Sequence, residues 1–148
     1  MTSRSNKLER NGVVRGRMQI SLLYSDEHLI ELGFDVVSTN ITSHIACYTQ
    51  IERLCELGVL CEQIVGNPQT VKWVVGSKEY TYLEMIFHPF DKHGHIQVDL
   101  IMLNRSDASL LGNMYCECSI MLELGQIEIL KKNVDALVAH KISSVVID

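Results

Sequence analysis

The sequence has no run approaching the roughly 20 consecutive apolar residues that a bilayer-spanning helix needs, and no apolar core of the signal-peptide type near its start. Glycine-rich phosphate loops are missing: neither G-x-G-x-x-G nor the Walker A run occurs. The G-x-S-x-G elbow and the H-E-x-x-H zinc motif are missing too. Each absence removes one positive ground for an enzyme, so neither catalysis nor a cofactor is expected. The five cysteines, at positions 47, 55, 61, 116 and 118, are odd in number and lack the rhythm of a disulfide scaffold. They read as reduced, buried side chains of a cytoplasmic protein.

What is present suits one globular domain. The chain has 148 residues, with 47% hydrophobic and 21% charged side chains. A domain of that length buries roughly 68–70% of its unfolded-chain surface and needs no staple. Its charge is uneven. Residues 1–17 hold Arg4, Lys7, Arg10, Arg15 and Arg17 against Glu9 alone and read as a basic flexible arm or leader. The remaining eight basic and seventeen acidic side chains give residues 18–148 a net charge of −9. Such a body repels phosphate backbones, which argues against nucleic acid and for a basic protein partner.

The pattern along 18–148 predicts an α+β fold: an antiparallel β-meander packed against a C-terminal helix, with a second amphipathic helix in the N-terminal half. Gln19 to Tyr24 alternates as a strand. Ser25 to His28 reads either as a helix start, stopped by Gly33 after Leu32, or as part of a strand. Phe34 to Ser38 reads as a short strand. The apolar spacing of Ile41, Ile45, Tyr48 and Cys55 predicts a helix over 42–57 with Gly58 just past its end. Val59 to Val65 suits a strand or a helical piece, and Gly66-Asn67-Pro68 is a break. Strands follow over 70–75, 79–88, 95–103 and 114–122, with a loop over 104–113. Ile127, Leu130, Val134, Leu137 and Val138 mark the core face of a helix over 125–140, and 143–148 reads as an edge strand or tail.

Four groupings invite a chemical reading. His88, His93 and His95, with Cys116 and Cys118, have zinc-ligand chemistry, which offers the alternative of a small enzyme or metal-dependent domain. Their spacing matches no standard zinc site, and the two cysteines fall on core positions, so no metal is expected. His44 and Cys47, one turn apart on a helix, suit a base and a nucleophile, although a helix histidine beside a buried cysteine is the ordinary case. Tyr80, Tyr82, Phe87 and Phe90 suit base stacking or, more simply, sheet packing. Acids on loops and exposed strand faces, Asp91, Asp99, Asp107 and Glu117, are the expected contacts for a basic protein.

From Tyr80 to Val138, alternating strands lead into Met114-Tyr115-Cys116-Glu117-Cys118-Ser119-Ile120-Met121-Leu122-Glu123-Leu124-Gly125-Gln126-Ile127-Glu128-Ile129-Leu130 and then the helix. This stretch resembles the small α+β immunity proteins of bacterial toxin–immunity systems. The resemblance implies a cytoplasmic, non-catalytic inhibitor that masks the active site of a basic toxin domain. It assigns no individual residue, because that family shares no fixed binding motif. A regulatory adaptor is the remaining alternative.

Overall fold

The computed structural model describes residues 16–105 and 114–148. Ten elements follow in chain order: β1 (Arg17–Ser25), β2 (Ile30–Val37), β3 (Thr42–Thr49), α1 (Ile51–Gly66), β4 (Val71–Gly76), β5 (Thr81–Pro89), β6 (His95–Asn104), β7 (Met114–Glu123), α2 (Leu124–Val138) and β8 (Ser144–Ile147). They form an α+β fold of two antiparallel four-stranded sheets, ordered β3-β2-β1-β8 and β4-β5-β6-β7. The second sheet is the meander expected from the alternating segments. β8 is an edge strand of the first, as the tail pattern allowed.

Period-two patterning decides which face of each sheet is buried. Ile20, Phe34 and Ile45 stand opposite one another across β1, β2 and β3. In the second sheet the rows Trp73–Met85–Leu100–Cys118 and Val71–Phe87–Val98–Ile120 cross all four strands. These inward rows share a single core, in which Phe34 and Trp73 meet edge to face at 6.1 Å between centroids. The indole Nε1–H of Trp73 donates to the Arg53 carbonyl at 2.7 Å, tying β4 to α1.

The N-terminal helix lies further along the chain than its spacing predicted. Residues 42–49 form β3, because Ile45, Cys47 and Thr49 point inward while His44, Ala46 and Tyr48 alternate outward. Threonine and isoleucine there favour the pleat. The helix begins only at Ile51, and Leu54, Leu57, Cys61 and Ile64 form its buried stripe. Gly58 is therefore interior to α1 and does not end it. A Cβ at this position would lie 3.1 Å from Asp135 Oδ1, so glycine leaves room for that carboxylate of α2. Val59 to Val65 belongs to the same helix, which stops at the Gly66-Asn67-Pro68 break.

Residues 26–29 form the turn between β1 and β2, which settles the ambiguity of that stretch. Asp26 Oδ1 accepts the backbone N–H groups of His28 and Leu29, an Asx-type turn that needs no helix. Gly76, at φ +84, makes the β4–β5 turn, where a Cβ would collide with the Thr81 carbonyl. On α2, Ile127, Leu130, Val134 and Leu137 are all buried. This helix packs chiefly on α1 and also reaches β7 and β8. Residues 1–15 of the basic arm, and 106–113 of the loop containing Asp107, lie outside the described residues. Arg17, the last residue of the arm by composition, opens β1 opposite Val37. Among the described residues no helix is long and apolar enough to cross a membrane.

Candidate functional site

Both helices send their buried side chains into the shared core. Among the described elements, this leaves the outer face of the β4–β7 sheet without a covering layer. The same alternation that buries the inner rows sets outward three rows that cross all four strands: Lys72–Ile86–Asp99–Ser119, Val74–Glu84–Ile101–Glu117 and Gly76–Tyr82–Leu103–Tyr115. Aliphatic side chains at the centre of the face are half-buried, and Tyr115 at its edge is 60% exposed.

Asp99 is the best-connected residue of this face. Its Oδ1 accepts from Ser119 Oγ at 2.5 Å and Gln97 Nε2 at 2.8 Å, and its Oδ2 lies 2.9 Å from His88 Nε2. Partial burial alone would raise this carboxyl, but the hydrogen bonds and the histidine outweigh it and hold the pKa below the ordinary value. One row away, Glu84 Oε1 accepts from the Tyr82 hydroxyl at 2.7 Å and lies 3.3 Å from Lys72 Nζ. The Tyr82 hydrogen bond is the largest influence holding Glu84 below its usual pKa, while burial pushes the Tyr82 phenol up to about 12. Lys78 Nζ stands 5.3 Å from the centre of the Tyr82 ring. On edge strand β7, the Tyr115 hydroxyl donates to Glu117 Oε2 at 2.7 Å.

The expected contact acids are thus divided. Asp99 and Glu117 share the outer face as diagonal neighbours on β6 and β7. Asp91 belongs to the β5–β6 turn, where it accepts from the His93 and His95 backbone N–H groups and lies 2.6 Å from His95 Nδ1. It lines a separate cleft of about 420 Å³ with Phe90, Met121, Glu123 and Gln126. Asp107 falls outside the described residues.

The zinc-type set is divided by the sheet itself. His88 and His95 lie on the outer face and His93 in the turn, whereas Cys116 and Cys118 oppose Met102 and Leu100 on the inner one. Each of the two strand histidines is engaged by an aspartate. Among the described residues, no three histidine, cysteine or acidic side chains stand together as a metal site. All five cysteines are free. Cys47 and Cys61 are buried and Cys55 is exposed, against the expectation that all are buried. Burial pushes the Cys61 thiol up to about 12 and those of Cys47 and Cys118 up to about 11, the reverse of what a nucleophile requires.

His44 and Cys47 are likewise no pair. Three residues apart on a strand, they face opposite sides: His44 Nδ1 meets Asp35 Oδ1 at 2.7 Å on the outer face, and Cys47 is buried. The aromatic set divides too, with Phe87 in the core, Tyr82 against Glu84, and Tyr80 and Phe90 exposed in turns. Glu84 and Tyr115 carried no sequence expectation, and Tyr82 only one of stacking or sheet packing. The alternation of β5 and β7 marks them as outward, but the partners that fix them lie on neighbouring strands or two residues along the same one.

No protein-family model matches the chain, and no curated protein matches it. A chain of the CdiA-CT/CdiI toxin and immunity complex from Enterobacter cloacae aligns over 79% of this chain and 97% of that one, with a TM-score of 0.47 and 8% identity.

Proposed function

We propose that this protein is a non-catalytic, partner-binding protein that acts as an immunity-type inhibitor, neutralising a cognate toxin by binding it. The observation that carries this reading is the outer face of the second sheet, over which no described element packs. Its polar groups are fixed by one another before any partner arrives: Asp99 by three neighbours, Glu84 by two, and Glu117 by Tyr115. Side chains already held in place lose little entropy on association, which favours binding. The thiols of Cys47 and Cys61 are raised by burial, and His88 and His95 are each held by an aspartate.

The acidic body supports a basic toxin domain as the partner, drawn in by charge. The acids proposed to meet it remain Asp91, Asp99, Asp107 and Glu117. The resemblance of residues 80–138 to immunity proteins supports inhibition as the purpose, and a cytoplasmic location follows from the same reading. Co-expression with the product of the adjacent gene tests it. An inhibitor restores growth that this product alone suppresses, and the two proteins co-purify. An adjacent product that is neither toxic nor bound contradicts the reading and leaves a regulatory adaptor in its place.

A further inference from the structure

The rows of the outer face differ in what they offer a visitor. Toward His88 and Asp99 the polar groups are spent on each other. At the opposite end, Ile101 and Leu103 lie side by side on β6, flanked by exposed Tyr115 and Glu117 on β7 and, on β5, by Tyr82 and Glu84, which are buried and bonded to each other. Half-buried aliphatics bordered by an exposed tyrosine and an exposed carboxylate have the composition of an interface centre with a polar rim. Tyr115, 60% exposed, brings large contact area at small entropic cost and is of the type that dominates binding energy. Glu117 uses Oε2 for the tyrosine hydroxyl, and its side of the face is solvent-exposed.

Charge selects the occupant. The outward strand side chains include Glu84, Asp99, Glu117 and Glu123 against Lys72. Lys72 beside Glu84 and Lys78 over the Tyr82 ring both lie on the β4–β5 side, away from Glu117 on β7. An acidic protein meets repulsion here, whereas an arginine beside Tyr115 gains both the Glu117 carboxylate and the aromatic ring. We infer that the Ile101–Leu103–Tyr115–Glu117 corner is where the protein partner docks, through an apolar segment carrying arginine, with Glu117 and the Tyr115 ring receiving the guanidinium. This rests on the partner-binding reading above and adds the surface and the chemistry it recognises.

The test uses the full chain and a defined probe, the peptide Arg-Leu-Arg-Leu-Arg, with Glu-Leu-Glu-Leu-Glu as control, followed by amide chemical shifts. The expected result is a set of shifts centred on Ile101, Leu103, Tyr115 and Glu117, with none from the acidic peptide. Affinity should fall about tenfold in Glu117→Gln and in Tyr115→Ala, both at exposed positions whose unchanged spectra elsewhere report an intact fold. The inference is overturned by no binding, by shifts at other acids such as Asp26, Glu62 or Asp135, or by variants that bind as the parent does. Growth rescue separates this from the function itself. Rescue by the parent and equally by both variants leaves the inhibitor standing and removes this surface. Localised peptide binding without rescue keeps the surface and removes the toxin.

Discussion

Gly58 of α1 lies against Asp135 of α2, with 3.1 Å separating the carboxylate oxygen from where a Cβ would be. Asp135 is held in turn by Lys131, with Nζ–O distances of 3.0 and 2.8 Å. The glycine therefore leaves room for the Asp135–Lys131 pair. Alanine there gains about 1 kcal/mol in helix propensity and shifts a flexible, exposed carboxylate by a few tenths of an ångström. Gly58→Ala should raise stability by about 0.5 kcal/mol after that adjustment. Gly58→Leu, which must part the helices, should lose about 1–3 kcal/mol. Urea denaturation of the two variants decides this, and a stable leucine variant would contradict the packing.

The join between the sheets is the second test. Trp73 is fully buried, donates to the Arg53 carbonyl and meets Phe34 edge to face. Trp73→Ala should cost about 3–5 kcal/mol, the transfer and cavity terms together. Phe34→Ala should cost a similar amount. Since Trp73 is the single tryptophan, its fluorescence in the Phe34 variant reports the transition directly. Loss below about 1 kcal/mol in both variants would show that the sheets do not share a core there.

On α2, Leu130 and Leu137 are buried on the face that carries the predicted stripe. Leu137→Ala should destabilise by about 2–5 kcal/mol, while alanine at Ile129, 58% exposed on the same helix, should change little. Equal melting temperatures for the two variants would contradict the orientation of the helix.

These cases also show what was legible. The inward rows of β5, β6 and β7, and the stripe on α2, could be read because each depends on one element's own period. β3 could not, since Ile41, Ile45, Tyr48 and Cys55 fit a helical period by spacing while Ile45, Cys47 and Thr49 fit a strand. Tertiary pairing with β2 decided between them. Gly58 was misread for the same reason: its role depends on α2, 73 to 77 residues away at Lys131 and Asp135. Within the site, Asp99 and Glu117 were legible as outward acids. The bonds of Asp99 to Ser119 and His88 were not, since register alone brings those residues together.

The Asp99 network makes acid stability specific. Partial burial raises its pKa, yet Ser119, Gln97 and His88 together leave it lowered. A carboxyl with a folded pKa below its unfolded value contributes stability that is complete above about pH 4 and lost as pH falls through the folded value. The parent should therefore lose stability through the carboxylate range, and Asp99→Asn should lose less over the same interval. Denaturation midpoints from about pH 5 to about pH 2 give the two slopes. Parallel slopes would remove Asp99 from the account.

The proposed binding of a basic toxin is open to measurement through association kinetics with the purified product of the adjacent gene. The expected result is a stoichiometric complex that abolishes the toxin's activity. Its association rate should fall steeply between about 50 and about 500 mM salt, because screening removes the steering that an acidic body supplies. Dissociation should change much less with salt. A complex with a salt-independent association rate, or no complex with a demonstrably toxic product, would contradict it.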